Sequence, residues 1–360
     1  MKNFLKLKKT TRKNLVTYAM VILAFLAVWL LSAGGSISSA FRGQLVPICV
    51  YIVMAISLNL TVGILGELSL GHAGFMSLGA FTGVIVSISL QGSVSSDPLR
   101  LTIAMILGAV IAGIAGLVVG VPALRLRGDY LAIVTLAFGE IIKNIINTLY
   151  VGIGPNGFRI SMVNAESLNL GENGTVIMNG PMGAVGIPKL ATFTSGFILI
   201  MITLFIVLNL QNSRSGRAIM AVRDNRIAAE SVGISVTRYK LMAFIISAAL
   251  AGAAGALYAL NFSTVVARKF DFNTSILILV FVVLGGMGNI RGSIIAATVL
   301  TVLPELLRAF NNYRMLLYSV ILILVMLMSN NEQLKNMMKK FTGFFKIKRP
   351  PDLRGGTARE

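Results

Sequence analysis

Apolar residues in this chain come in long unbroken runs, not at the spacing of an amphipathic helix or the alternation of a half-buried strand. Ten runs can be drawn, at about 16–34, 45–65, 69–90, 100–121, 130–150, 192–210, 240–260, 274–288, 292–308 and 314–330. A helix needs roughly 20 apolar residues to cross about 30 Å of hydrocarbon. The pattern therefore predicts an all-α polytopic membrane protein of about ten transmembrane helices, with eight to eleven as the range. Two longer polar stretches separate runs: an exterior loop at 151–191, and the basic segment QNSRSGRAIMAVRDNRIAAESVGISVTRYK at 211–240. The expected organisation is a basic segment 1–15, a membrane domain 16–330 and a basic tail 331–360.

Composition agrees with that division. Hydrophobic residues make up 56% of the chain and charged residues 12%, with a mean hydropathy of +0.83, whereas soluble domains carry about a quarter charged residues. A single cysteine, Cys49, excludes a disulfide framework, and a single histidine, His72, leaves little material for a metal site.

The formal charge of +19 would fit a nucleic-acid binder if it lay on one folded face. It does not. With the N-terminus placed in the cytosol, 23 Lys and Arg fall in inside segments and 8 in outside segments. That asymmetry is the positive-inside rule and predicts cytosolic termini. The run Val16–Leu31 follows a basic start but is long and lacks a good cleavage site, so it reads as a signal anchor. The tail interleaves basic residues with Phe341, Phe344 and Phe345; it fits a segment lying on the anionic lipid surface, and equally a solvated end.

Small residues recur at four-residue spacing inside the runs: Gly79 and Gly83, Gly116 and Gly120, Ala251 and Gly255, Gly288 and Gly292. Such spacing lets helix backbones approach closely in a bilayer. Two glycine clusters are denser. One runs Gly63-Ile-Leu-Gly66-Glu67-Leu-Ser69-Leu-Gly71-His72-Ala-Gly74, and the other Gly285-Gly286-Met-Gly288-Asn289-Ile-Arg291-Gly292. Paired glycine interruptions in two halves of a transporter point to broken helices around a substrate path near the midplane. The expectation is therefore broken or re-entrant helices near 66–80 and 285–295, with a path lined by Glu67, Ser69, Gly71, His72, Gly74, Gly288 and Asn289.

Ionisable residues inside the runs are Glu67, His72, Glu140, Lys143 and Glu305. Such groups face a partner or a cavity. Glu140 and Lys143, three apart, can neutralise one another. Glu305 follows Pro304 near an outer end and can reach water, and His72 fits either a polar pathway or a satisfied core position. Gly152-Ile-Gly154-Pro155-Asn156-Gly157 matches GxGxxG but follows a membrane run and opens an exterior loop, with Pro155 marking a turn, so it is no dinucleotide fingerprint. Asn173-Gly-Thr175 is a glycosylation sequon, meaningful only in a secretory pathway. No GxxxxGK[ST] occurs, so the chain lacks a phosphate-binding loop for ATP, and no catalytic set of nucleophile and base is apparent.

Several stretches resemble a known family. Ala228-Ala229-Glu-Ser-Val-Gly233 resembles the core of the cytoplasmic signature of ABC-importer permeases. LNLTVGILGELSLGHAGFMSLGAF (58–81), LRLRGDYLAIVTLAFGEIIK (124–143), the stretch 216–259 and SILILVFVVLGGMGNIRGSIIAA (275–297) look like the LivM-type permease of branched-chain amino-acid importers. The resemblance implies a permease subunit carrying Leu, Ile or Val, paired with a LivH-type permease. It further implies two cytosolic ATPases (LivG- and LivF-like), which hold ATP and Mg in place of this chain, and an extracytoplasmic binding protein. The implied location is a bacterial cytoplasmic membrane. Ile227 stands where the general signature opens with an acid, and Ser329-Asn-Asn-Glu332 replaces the proline-containing motif that usually closes the family.

The loop's own residues fit that role. Asp224 or Asn225 can cap a short helix, and Gly233 can end it in a left-handed conformation. Ala228 and Ala229 would then present a flat face to an ATPase, flanked by Arg223, Asp224, Arg226 and Glu230. Importers of related class carry urea, short amides or other amino acids, and those remain alternatives. An ion-driven secondary transporter is a further one; it would need an intramembrane carboxylate, and only Glu67 and Glu140 qualify.

Overall fold

The computed structural model describes residues 9–34, 38–126, 128–154, 157–170 and 174–330. The terminal segments 1–8 and 331–360, Pro155, Asn156 and the sequon residue Asn173 lie outside the described residues. Each of the ten apolar runs coincides with a helix. These are α1 (Lys9–Ala33), α2 (Ser39–Asn59), α3 (His72–Ser89), α4 (Asp97–Ala123), α5 (Asp129–Asn147) and α6 (Phe193–Asn212). After two short helices, α7 (Arg214–Asp224) and α8 (Arg226–Ser231), follow α9 (Val236–Ala259), α10 (Phe272–Gly285), α11 (Ile290–Leu306) and α12 (Arg314–Asn330). Among the described residues, six helices are long and apolar enough to cross a membrane: α1 to α4, α6 and α9. The apolar helix α5 carries Asp129, Glu140 and Lys143, whereas α10 and α11 have 14 and 17 residues.

Two compact units divide the chain at Glu305. The first holds α1 to α11. In the second, a 3-10 segment (Leu307–Tyr313) leads into α12, whose Leu316, Ile323, Leu324 and Leu327 are exposed.

At the centre of the first unit α9 is wedged between α3 and α4, and the contacts are backbone to backbone. A Cβ on Gly79 of α3 would sit 2.0 Å from the Gly252 carbonyl oxygen of α9. One on Gly252 would lie 2.4 Å from the Gly108 oxygen of α4, and one on Gly255 would lie 1.9 Å from the Met76 oxygen. Small residues at these crossings replace the hydrophobic force that lipid cannot supply.

The stretch 151–191, expected as a loop, contains a sheet. Strands β1 (Tyr150–Gly154), β2 (Gly157–Ser161), β3 (Thr175–Asn179), β4 (Ala184–Val185) and β5 (Thr264–Val265) pair antiparallel in the order β2-β1-β3-β4-β5. Because β5 comes from the α9–α10 connection, the sheet ties two linkers together. The N–H groups of Leu190 and Ala191 also donate to the Leu260 oxygen, at 3.0 and 3.2 Å. The sheet precedes α6 and the helices α7 and α8 follow it, so they lie at opposite ends of that span.

Candidate functional site

The α7–α8 segment folds much as its residues predict, with one reversal. Asn225, not Asp224, caps α8: its Oδ1 accepts from the Ala228 N–H at 3.0 Å. Gly233 ends the segment at φ 83°, and the Ile234 N–H closes back on the Ala229 oxygen at 3.0 Å. Asp224 pairs with Arg223 at 2.9 Å, and Arg226 with Glu230 at 3.1 Å.

The expected flat face of Ala228 and Ala229 does not form. Ala229 is 3% exposed and packs with Val222, Ile234 and Val236 in a small apolar core, because α7 and the start of α9 close over that side of the helix. The outward side carries Ala228, Glu230, Ile227 and Val232, the last two 78% and 75% exposed. The residue that departs from the family signature, Ile227, is thus one of two large apolar groups presented by α8. Sequence reasoning noted Ile227 only as a departure from the signature and passed over Val232, although an apolar residue in so polar a segment was the available signal.

The first glycine cluster is a helix end. The last turn of the span that begins as α2 widens into a π-helix, Leu60–Leu65, and Gly66 stops it at φ 81°. The Glu67 N–H donates to the Thr61 oxygen at 3.1 Å, and residues 66–71 then turn into α3, which runs unbroken from His72. The second cluster is the turn between α10 and α11, with Gly286 at φ 88° and Gly288 at φ 79°. The two meet: a Cβ on Gly63 would lie 2.1 Å from the Gly288 nitrogen. Asn59 locks them, its Oδ1 accepting from the Gly288 N–H and its Nδ2 donating to Ser293 Oγ, both at 2.8 Å.

The junction lies at the end of the bundle that carries α7 and α8, because Arg223 of α7 lies across it. Arg223 Nη1 donates to the Gly63 oxygen at 3.0 Å, and its stem covers Gly66, where a Cβ would be 2.5 Å from Cγ. Glu67 forms an ion pair with Lys240 of α9; their side chains are 13% and 7% exposed. Glu67, expected on the substrate path, therefore anchors the turn to α9, because a buried carboxylate must find a cation. Lys240 was counted among the loop's charges and its pairing went unforeseen.

The other predicted path residues divide into packing and polar roles. Gly71 abuts α5, where its Cβ would fall 2.0 Å from the Thr135 oxygen, and Gly74 abuts Gly139 of the same helix. The Leu70 N–H donates to Thr135 Oγ1 at 3.1 Å. His72 proves to be a satisfied core histidine: its Nε2 is 2.8 Å from Ser57 Oγ, and both residues are buried. Ser247 Oγ donates to the Ser57 oxygen at 2.5 Å, and Ser275 Oγ accepts from the Ala73 N–H at the start of α3, at 3.1 Å. Asn289 is exposed and caps α11, accepting from the Gly292 N–H at 3.4 Å. Ser69 and Thr61 differ from all of these: each hydroxyl is buried and has no hydrogen-bond partner. An unpartnered buried hydroxyl costs about 1–3 kcal/mol, and these two flank the turn at Gly66. Glu140 pairs with Lys143 as expected, so both carboxylates proposed as ion sites are matched with lysines.

A bundle of apolar helices with a structured polar segment joined to a helix break is the build of a polytopic membrane permease. The chain belongs to the family described as branched-chain amino acid transport system / permease component, whose model matches residues 40–327. It is 36% identical to the high-affinity branched-chain amino acid transport system permease protein LivM of Salmonella typhimurium, over 88% of this chain and 74% of that one. The LivM protein of Escherichia coli matches at the same identity and coverage. The ribose import permease protein RbsC of Escherichia coli is 26% identical over 78% of this chain and 82% of its own. No solved structure matches.

Proposed function

We propose that this chain is the membrane-spanning permease subunit of an ATP-driven importer that carries branched-chain amino acids into the cell. In this reading α7 and α8 face the cytosol, both termini are cytosolic, and the membrane is the bacterial cytoplasmic one. The chain pairs with a LivH-type permease. Two separate ATPase subunits bind ATP and Mg and dock on α8 through Ile227 and Val232, and an external binding protein delivers substrate at the sheet end.

The observation that carries the reading is the joining of the loop to the helix break. Arg223 holds the Gly63 oxygen and Lys240 holds Glu67, so both anchors of the Leu60–Glu67 turn come from residues flanking α8. Displacement of α8 by a closing ATPase pulls on that turn, and the turn abuts Gly288 between α10 and α11. Withdrawal of the turn exposes the Thr61 and Ser69 hydroxyls, which are buried and lack partners. They are suited to hydrate or bind a passing zwitterion. Pairing of Glu67 and Glu140 with lysines supports this coupling over an ion-driven one.

The test is uptake of labelled leucine by cells expressing the complete transporter, with ATP depleted and the proton gradient clamped. Uptake should stop, and unlabelled isoleucine and valine should compete before depletion. Uptake that continues without ATP overturns the coupling; competition by urea or acetamide instead moves the substrate to short amides.

A further inference from the structure

The spans α1 and α6 touch near the sheet end, where the Phe25 ring stacks on Phe197 with centroids 4.0 Å apart. Toward the α7 end they line, with α7, an open groove of about 800 Å³. Leu15, Phe205 and Met220 give it apolar surface, and Asn14, Tyr18, Asn209, Gln211, Asn212 and Arg217 supply polar groups. Among the described residues, no carboxylate lines it. Among the described residues, the side chains of Asn14, Tyr18, Asn209 and Gln211 have no hydrogen-bond partner. Arg217 uses one N–H, Nη1 to the Asn212 oxygen at 3.2 Å, and keeps the others.

One guanidinium, four carboxamides (that of Asn212 already donating to the Leu208 oxygen) and a phenol face a common space without an acid among the described residues, and they form a donor-rich site for an anion. Guanidinium and amide N–H groups match phosphate oxygens. Apolar side chains interleaved with these polar groups, Phe205 deepest along α6, demand that the ligand also carry hydrocarbon, and a polar group left bare beside hydrocarbon is costly. We infer that this groove binds the phosphodiester headgroup of an anionic glycerophospholipid, with its acyl chains leaving along Phe205. The site rests on the orientation given above, which places it at the cytosolic leaflet, where the surface potential is negative. It also adjoins α7 through Arg217 and Met220, so a bound lipid props the root of the segment that moves α8.

Native mass spectrometry of the full chain in mild detergent tests this without reference to transport or orientation. Phosphatidylglycerol should be retained about tenfold more than phosphatidylcholine, and glycerol phosphate alone should not bind. Arg217→Gln and, separately, Asn209→Leu should each reduce phosphatidylglycerol retention about tenfold, with Arg217→Lys keeping most of it. Elution volume and melting temperature report whether each variant is folded, and the two variants stand on different helices, so one misfolded protein leaves the other as the test. Equal retention of both lipids, or full retention in both folded variants, overturns the proposal. Equal binding of glycerol phosphate makes the ligand a soluble phosphate and overturns the lipid assignment. A failed uptake assay with lipid selectivity intact would strike the proposed transport, not this site.

Discussion

The ion pair of Glu67 with Lys240 offers the sharpest test, because it joins residues 173 positions apart and both side chains are withdrawn from water, at 13% and 7% exposure. Removing one partner of such a pair leaves a buried, uncompensated charge and costs about 3–5 kcal/mol. Replacing both with apolar groups of similar volume is near neutral. Lys240→Met and Glu67→Leu alone should therefore each shift the unfolding equilibrium by roughly 150- to 5000-fold, read by denaturant titration of the purified protein in detergent. The double variant Glu67→Leu/Lys240→Met should return to within about 1 kcal/mol of the parent. Transport should not return with it. If the pair ties α9 to the turn that yields during the cycle, an apolar contact restores folding but not a directional anchor. Single variants as stable as the parent would refute the burial argument. A double variant that recovers both stability and leucine uptake would reduce the pair to scaffolding.

Ile227→Asp should leave the protein folded and weaken recovery of ATPase subunits on a tagged chain by about 5- to 30-fold, the scale of one or two kcal/mol at a contact residue; Ala229→Glu should instead unfold α8, seen as new proteolytic cleavage near 225–235. Gly63→Ala forces a Cβ to 1.9 Å from Asn59 Oδ1 and 2.1 Å from the Gly288 nitrogen, so uptake should fall at least tenfold, and normal uptake would mean that this junction opens freely. In a Cys49→Ser background, Met182→Cys should react with an impermeant maleimide in intact cells and Ile227→Cys only in inverted vesicles; the reverse pattern would invert the proposed orientation.

Long-period features were legible in the sequence and three-dimensional partners were not. All ten apolar runs found helices, because bilayer-length hydrophobicity is a property of each segment alone. The Asn225 cap and the Gly233 stop were equally local. The sheet was missed because its strands have two to five residues, too few for alternation to show, and because β5 comes from a different linker. Ala229 was turned the wrong way because six residues do not define a face; Val222 and Val236, outside the helix, decide which side is buried. The glycine clusters were legible as helix breaks, but the groups that close their junction were not, since glycine density alone names no partner. Asn59, the residue that joins them, sits in an apolar run as an ordinary polar interruption and gave no sign of its partners.

The glycine crossings of α3, α4 and α9 also dictate how such a bundle can deform. Interdigitated side chains yield by changing rotamer, but where a carbonyl oxygen fills the space a Cβ would occupy, nothing remains to rearrange. A slide of one helical turn would set the Met76 oxygen against the side chain of Ala251, Tyr258 or Ala259 instead of the bare α-carbon of Gly255. These three spans are thus keyed like gear teeth and must travel as a single body. Sliding and tilting are left to the seams where long side chains meet, which include the edge between α1 and α6.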